Sequence, residues 1–203
     1  MVGISIPTVL PGGMSPADAS LDPVWAELDR RGTVVNIHPT GSGACSPLIN
    51  DHSLGWVNGA PVEDAIAVLQ LLKADIPGRF PSVRLHIAHL AGDLAFRAQR
   101  IEDNDEDWKA FASSPRHSLR GMWFDAANFH EPSLRPAVET DGEGRVMAGF
   151  DIPSFQEGRY VRAMEYIRTA KLPDTEIEAI LAGTARSLYG LGEASCAGAR
   201  ALR

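Results

Sequence analysis

Four polar side chains that could bind a metal ion or move protons lie at the ends of apolar, β-rich runs. They are His38, His89, Asp125 and Asp151, the last just beyond its run. If the runs are parallel strands, their carboxyl ends meet at one rim of the sheet and the four side chains converge there. Imidazoles and carboxylates in one place suit a divalent metal ion or acid–base catalysis. Each residue alone could equally be a hydrogen-bonded structural group or a turn cap, so the coincidence of four carries the prediction.

A second histidine, His86, stands three residues before His89, a spacing that suggests a metal-binding pair. Side chains of a strand alternate between its two faces, so residues three apart point in opposite directions if 83–89 is extended throughout. We therefore predict that His89 faces the site and that His86 points toward the helices as a packing or surface residue. The two histidines would then not bind one ion together.

Short β-rich runs alternate with helical segments along the chain. Asp22-Pro23 predicts the start of one helix, and apolar residues at helical spacing after Pro61 predict another. Strands are predicted at 3–8, 33–38, 83–89, 122–125 and 145–149, and further helices near 93–101, 133–139, 158–170, 174–182 and 184–189. The alternation predicts an α/β fold whose parallel strands are joined by helical crossovers.

Composition narrows the classes of partner and the cellular compartment. The chain has 203 residues, 44% hydrophobic and 22% charged, with a net charge of −7, which disfavours nucleic acid and anionic membranes as partners. Its two cysteines, Cys45 and Cys196, provide no disulfide framework, so a reducing cytoplasm is expected. The apolar runs are shorter than the roughly 18 residues of a transmembrane helix, and the start of the chain does not resemble a signal peptide.

Five segments, in order, resemble the amidohydrolase-related family of metal-dependent (β/α)8 barrels, in particular its aminocarboxymuconate-semialdehyde and aromatic-acid decarboxylases. They are LDPVWAELDRRGTVVNIHP, GRFPSVRLHIAHLAGD, MWFDAANFHEPSLRPAV, GRVMAGFDIP and ILAGTARSLYGL, and the resemblance covers about residues 2–191. It implies that the chain is the C-terminal portion, about strands four to eight, of a TIM barrel. We expect one incomplete barrel domain at 1–191 and a disordered tail at 192–203.

The resemblance also implies roles for individual residues. His38 and Asp151 correspond to metal ligands, His89 to a catalytic acid or base, and Asp151 could assist in catalysis. Arg100 stands where some of these decarboxylases have an arginine that reaches the substrate carboxylate of the neighbouring subunit, which implies a homodimer. The implied cofactor is zinc or manganese, and the implied reaction is decarboxylation or hydrolysis of a small carboxylic acid.

Several residues depart from the family pattern. The His-x-His pair of the first barrel strand, which supplies two metal ligands, is absent from this sequence. Phe150 and Ile152 stand where the family has serine or threonine and tyrosine. One alternative is therefore a truncated, catalytically incompetent remnant that acts as a scaffold or dimerisation module, since catalytic zinc normally has three protein ligands. Another is a complete doubly wound domain that binds a small ligand without metal.

Overall fold

The structure is a computed structural model that describes residues 2–155 and 157–192. Within these residues the strands are β1 Gly3–Pro7, β2 Val34–His38, β3 Arg84–Ile87, β4 Trp123–Asp125 and β5 Val146–Met147. The helices are α1 Asp22–Arg30, α2 Pro47–Asn50, α3 Ala60–Lys73, α4 Ile76–Arg79, α5 Leu94–Trp108, α6 Pro115–Arg120, α7 Glu131–Asp141, α8 Gly158–Arg168, α9 Asp174–Glu178 and α10 Thr184–Tyr189. The tail predicted to be disordered lies, after Gly192, outside the described residues.

All five strands belong to one parallel sheet in the order β1-β2-β3-β4-β5. Each strand pairs with the next along the chain, and helices fill the connections, as parallel strands require. The order never reverses, so the sheet lacks the switch point of a doubly wound domain. The predicted α/β class is confirmed, and the strand order fits a sector of a barrel.

The two faces of the sheet have different chemistry. One face carries apolar side chains that pack against the helices and form the main core, namely Val35, Ile37, Leu85, Ile87, Phe124 and Val146. The register places Asn36 beside His86 on the opposite face, and Pro7 beside His38 at its rim. Val34 and Met147 of that face form a smaller apolar cluster with Leu188 of α10. Strand alternation thus separates an apolar helix-facing side from a polar side that leads to the rim.

The predicted helices form with some shifted limits, whereas the short helices α2, α4 and α6 were not predicted. Pro23 lies in the first turn of α1, where its missing N–H costs no hydrogen bond, and Trp25 and Leu28 are its buried residues. The segment between β2 and α3 contains the short helix α2 and a wide π turn at Gly55–Gly59. The last two predicted helices follow one another as α9, a π turn and α10. None of the helices that the structure describes combines the length and the apolar character of a membrane-spanning helix.

Candidate metal centre and active site

Three of the four strand-end residues meet at the carboxyl rim of the sheet. His38 is the last residue of β2, His89 follows β3, and Asp151 follows β5. One ring nitrogen from each histidine and one carboxylate oxygen lie within 4.8 Å of one another. The fourth residue, Asp125 at the end of β4, lies next to this group and bonds to the backbone of His89. Residues more than a hundred positions apart therefore form one cluster because parallel strands end together.

His38 presents its Nε2 atom to the cluster. Its Nδ1 atom lies 3.0 Å from the carbonyl oxygen of Pro39, so the bond to this acceptor places the ring proton on Nδ1. Nε2, which lies 3.4 Å from Asp151 Oδ1, then carries a free lone pair. A histidine held in this way is suited to bind a metal ion, because the bond at Nδ1 sets both tautomer and ring orientation.

His89 is held by a buried carboxylate on the neighbouring helix. Its Nδ1 atom lies 2.9 Å from Asp64 Oδ2, and its Nε2 atom lies 3.6 Å from Asp151 Oδ2. Asp64 is completely buried in α3. The carboxylate of Asp64 therefore fixes the ring from one side and leaves Nε2 facing Asp151 and His38.

The charges around His89 act on its protonation. Burial alone would lower the pKa of His89, but the hydrogen bond to Asp64 and the charges of Asp125, Asp64 and Asp151 raise it to about 9. Burial raises the pKa of Asp64 to about 6, against the opposing effect of His89. In the metal-free protein the pair thus favours an imidazolium beside a carboxylate at neutral pH.

The backbone that presents these side chains is strained. His89, Leu90 and Ala91 all have left-handed backbone, with φ between 52° and 54°, and Asp151 has φ 50°. Such conformations cost non-glycine residues of order 1–3 kcal/mol each and persist where the surroundings enforce them. Here the left-handed turn, not the regular strand, carries the His89 ring into the site.

The predicted orientation of His86 is wrong. β3 ends at Ile87, and His86 lies on the polar face of the sheet, where it lines the same cleft as His38 and His89. The alternation rule failed because the backbone at His89 is not extended. His86 still does not belong to the metal-ligand cluster of the described residues, since its ring nitrogens contact Tyr189 and Asp125.

Asp125 accepts hydrogen bonds with both carboxylate oxygens. Oδ1 lies 3.1 Å from the backbone N–H groups of His89 and of Ala127, and Oδ2 lies 3.2 Å from His86 Nε2. Burial would raise the pKa of Asp125, but the hydrogen bond from His86, the charges of His86 and His89, and the Ala127 N–H outweigh it and lower the pKa. Asp125 is thus an ionised acceptor beneath the site.

Two acidic residues of α3 that shape the site escaped the sequence analysis, Glu63 and Asp64. Glu63 accepts hydrogen bonds from the Thr8 hydroxyl, from the N–H and hydroxyl of Thr40, and from the Gly43 N–H, and so ties the loop after β2 to the end of β1. These donors lower the pKa of Glu63 although burial opposes this change. The sequence did contain a sign that Glu63 and Asp64 are buried. Both residues lie at helical spacing from buried apolar residues of the same face of α3, namely Ala60, Ala67, Val68 and Leu71.

Arg100 is exposed on α5 and forms no ion pair with any other described residue. It does not line either cleft beside the cluster. Within one protomer the structure therefore does not bring Arg100 to the site, and its substrate-binding role stays a prediction.

Two clefts adjoin the cluster and share His38, His89 and Asp151. One, of about 320 Å³, reaches the polar side chains of Asn36, His86 and Asp125 and is also lined by Phe150 and Ile152. The other, of about 410 Å³, is largely apolar and includes the aromatic side chains Trp56, Phe129 and Phe155. A ligand at the cluster would therefore meet imidazole and carboxylate groups on one side and aromatic side chains on the other.

The donor set fits a divalent cation. The Nε2 lone pair of His38 and the carboxylate of Asp151 are common ligands of zinc and manganese, and His89 can offer a second imidazole nitrogen when its Nε2 proton is released. Both imidazoles have the outer hydrogen bond that such ligands usually make, His38 to a carbonyl and His89 to a carboxylate. The side chains are thus arranged as ligands are arranged in open metal sites.

Comparison with known proteins places this site in context. The sequence model of the family described as amidohydrolase matches residues 1–191. A 2-amino-3-carboxymuconate-6-semialdehyde decarboxylase from Dictyostelium discoideum is 28% identical over 179 residues, which cover 86% of this chain and 49% of that protein. A 6-methylsalicylic acid decarboxylase from Penicillium expansum is 26% identical over 182 residues, which cover 84% of this chain and 54% of that protein. The chain spans about half the length of the curated relatives it matches.

A solved structure has the same fold. A 5-carboxyvanillate decarboxylase from Novosphingobium aromaticivorans, with bound manganese and 3-methoxy-4-hydroxy-5-nitrobenzoic acid, aligns with a TM-score of 0.83 at 19% identity. The alignment covers 93% of this chain and 57% of that one. The predicted fold, a five-stranded portion of a (β/α)8 barrel, is confirmed.

Proposed function

Because the chain belongs to the amidohydrolase family, we propose that it carries the metal-binding and proton-transfer residues of a carbon–carbon lyase that decarboxylates a small aromatic acid. The observation that carries the proposal is the meeting of His38, His89 and Asp151 within 4.8 Å at the barrel rim. The relatives that are decarboxylases, and the nitrobenzoic acid held by the structural neighbour, support the choice of reaction and substrate class.

His38 and Asp151 would hold the cation, which we propose to be manganese, as in the structural neighbour, or zinc. A divalent cation bound there supplies positive charge that orients the substrate carboxylate or an adjacent hydroxyl group. His38 contributes Nε2, because its Nδ1 is engaged with Pro39. Asp151 contributes a carboxylate oxygen and leaves the other toward His89.

His89 would supply the proton that decarboxylation requires. The bond between the ring carbon and the carboxylate breaks, CO2 leaves, and the electron pair that stays on the carbon takes up one proton. Asp64 holds Nδ1 of His89, so the proton that is transferred sits on Nε2, on the side of the clefts. Asp151, 3.6 Å from Nε2, orients that proton.

The apolar cleft suits the body of an aromatic acid. Trp56, Phe129 and Phe155 line it next to the cluster, so a ring can pack against them while its carboxylate faces His38 and His89. Hydrolysis of a related compound would use the same residues, with His89 and Asp151 activating a water molecule instead.

Arg100 and the oligomeric state belong to the same proposal. An exposed arginine on α5 can reach the carboxylate of a substrate only in another subunit, so we propose a homodimer in the reducing cytoplasm. Light scattering on the purified chain should give twice the monomer mass, and R100A should raise KM more than it lowers kcat.

Metal binding provides the first test. We expect calorimetry to detect about one Mn²⁺ per chain, and expect H38A and D151N each to weaken binding by at least about tenfold, because each removes a ligand. H117A, which removes an exposed histidine on α6, is the matched control and should bind as the wild type. Release of CO2 from 6-methylsalicylate and 5-carboxyvanillate then measures the reaction.

The outcomes separate the alternatives. Unchanged Mn²⁺ affinity in both H38A and D151N would contradict the ligand assignment. Tight Mn²⁺ binding would contradict the catalytically incompetent scaffold, whereas its absence in the wild type would favour it. Metal-dependent hydrolysis of an ester or amide without CO2 release would replace the decarboxylase proposal with a hydrolase.

A further inference from the structure

His86, Asn36 and Tyr189 form a polar network under the site that the proposed reaction does not use. Tyr189 lies at the end of α10, the last described helix, and its hydroxyl is 2.7 Å from His86 Nδ1. Asn36 Nδ2 lies 3.2 Å from the same nitrogen. On the other side of the ring, His86 Nε2 is 3.2 Å from Asp125 Oδ2. The histidine thus links the terminal helix to the end of β4.

The partners of His86 assign its tautomer. The amide of Asn36 is a donor, and the Tyr189 hydroxyl can also donate, so Nδ1 is the acceptor and carries no proton. The proton is then on Nε2, which donates to Asp125 Oδ2. This direction leaves Asp125 Oδ1 for the backbone N–H groups of His89 and Ala127.

The Asp125 carboxylate is also confined sterically. A Cβ atom at Gly149, on the segment after β5, would lie 2.9 Å from Asp125 Oδ1 and 3.0 Å from its Cγ. Only glycine therefore leaves room for the carboxylate in its observed position. Asp125 is held by the hydrogen bond from His86, and the lack of a side chain at Gly149 leaves room for its carboxylate.

The residue that needs this support is His89. Its N–H donates to Asp125 where the backbone enters three successive left-handed residues. The hydrogen bond from this N–H to the Asp125 carboxylate offsets part of the backbone strain and fixes the turn, while Asp64 fixes the orientation of the ring. His89 is thus attached at two points, at its backbone to Asp125 and at its ring to Asp64.

We propose that His86 is a positioning residue, which acts with Tyr189 through Asp125 to hold the left-handed turn that presents His89. The inference rests on the proposed function only for the role of His89, since the hydrogen-bond chain is a property of the fold. His86, which strand alternation had predicted to point away from the site, thus has a structural role beneath it.

The test compares four variants by amide hydrogen exchange of the metal-free protein, followed by NMR. H86L removes the donor to Asp125 and should speed exchange at the His89 and Ala127 amides at least tenfold. H86Q, whose side-chain amide can donate from nearly the same place as Nε2, should restore most of the protection. Y189F should give a smaller increase, because Asn36 still donates to Nδ1. Y166F is the control for the His89 amide, since it removes a buried tyrosine hydroxyl that donates to the Ala126 carbonyl and lies outside the hydrogen-bond network of His86.

A second measurement separates this inference from the proposed function. The kcat for CO2 release should fall in H86L and recover in H86Q, whereas Mn²⁺ affinity should change little because His38 and Asp151 hold the cation. Failure of the wild type to bind Mn²⁺, with exchange that still follows the predicted order, would contradict the function and leave the positioning role intact. Normal Mn²⁺ binding with His89 exchange unchanged in H86L would overturn the positioning role. If H86L does not fold, the test rests on H86Q and Y189F. The positioning role is then overturned if the His89 amide exchanges as slowly in Y189F as in Y166F.

Discussion

Each of the three histidines in or beside the site is oriented by the hydrogen-bond partners of its ring nitrogens. The Pro39 carbonyl holds His38, Asp64 holds His89, and Asp125 with Tyr189 holds His86. These partners come from different elements of the fold, and they decide which nitrogen carries the proton. Residue types in the sequence identified the histidines, but the tautomers follow only from the partners.

Asp64 should matter for the proton-transfer step. D64N keeps the shape of the side chain but removes the charge that holds the His89 ring, so we expect kcat for decarboxylation to fall by about 10- to 100-fold. CO2 release measures it, with the exposed carboxylate variant D51N as control. A kcat for D64N within twofold of the wild type would show that Asp64 has no part in the site.

At the scale of elements, the turns after the strands place the site residues. The turn after β3 ends at Gly92, whose φ of 67° and ψ of −108° suit glycine alone. A Cβ atom there would overlap the carbonyl oxygen of Pro61 at the start of α3. The turn that carries His89 is therefore packed directly against the helix that carries Asp64.

This contact predicts a difference between two glycines. G92A should destabilise the fold by more than about 2 kcal/mol, because it combines a disfavoured backbone with a clash, and should also weaken Mn²⁺ binding. G144A is the control, since Gly144 has the same φ of 67° with no atom within 4 Å of an added Cβ. It should cost about 1–2 kcal/mol and leave Mn²⁺ binding unchanged. Urea unfolding and calorimetry give both quantities, and equal effects of the two substitutions would show that the Pro61 contact is unimportant.

At the scale of the molecule, the buried carboxylate of Asp141 makes the stability of the fold depend on pH. Asp141 is the last residue of α7, where the helix dipole disfavours negative charge, and its Oδ2 atom has no hydrogen-bond partner among the described residues. Burial raises the pKa of Asp141 to about 7, and the charge of Arg120 opposes this rise only in part. The fold therefore favours the protonated form.

The sign of the pH dependence follows from that rise. Below about pH 4 the carboxyl is protonated in both states, and between about pH 4 and 7 the unfolded chain loses the proton first, so this group lowers stability as pH rises. A pKa that rises from 3.8 to about 7 corresponds to at most about 4 kcal/mol above pH 7. D141N should therefore stabilise the protein at pH 8 and have little effect at pH 4.

Urea unfolding at both pH values measures this, and E139Q, which changes an exposed carboxylate of the same helix, is the control. The same stabilisation by D141N at pH 4 and pH 8 would rule out ionisation as the cause.

The order of apolar runs and polar strand ends was enough to predict the parallel α/β class and the meeting of His38, His89 and Asp151. These two features depend on local periodicity and on a rule of parallel sheets, both of which are readable along one chain. The barrel family was predicted from the resemblance of five segments to known members. The face of His86, the burial of Glu63 and Asp64, and the position of Arg100 outside the clefts were decided only by the tertiary structure. A left-handed turn breaks strand alternation at His89, and a buried carboxylate is recognisable only when the histidine or N–H groups it serves lie against it.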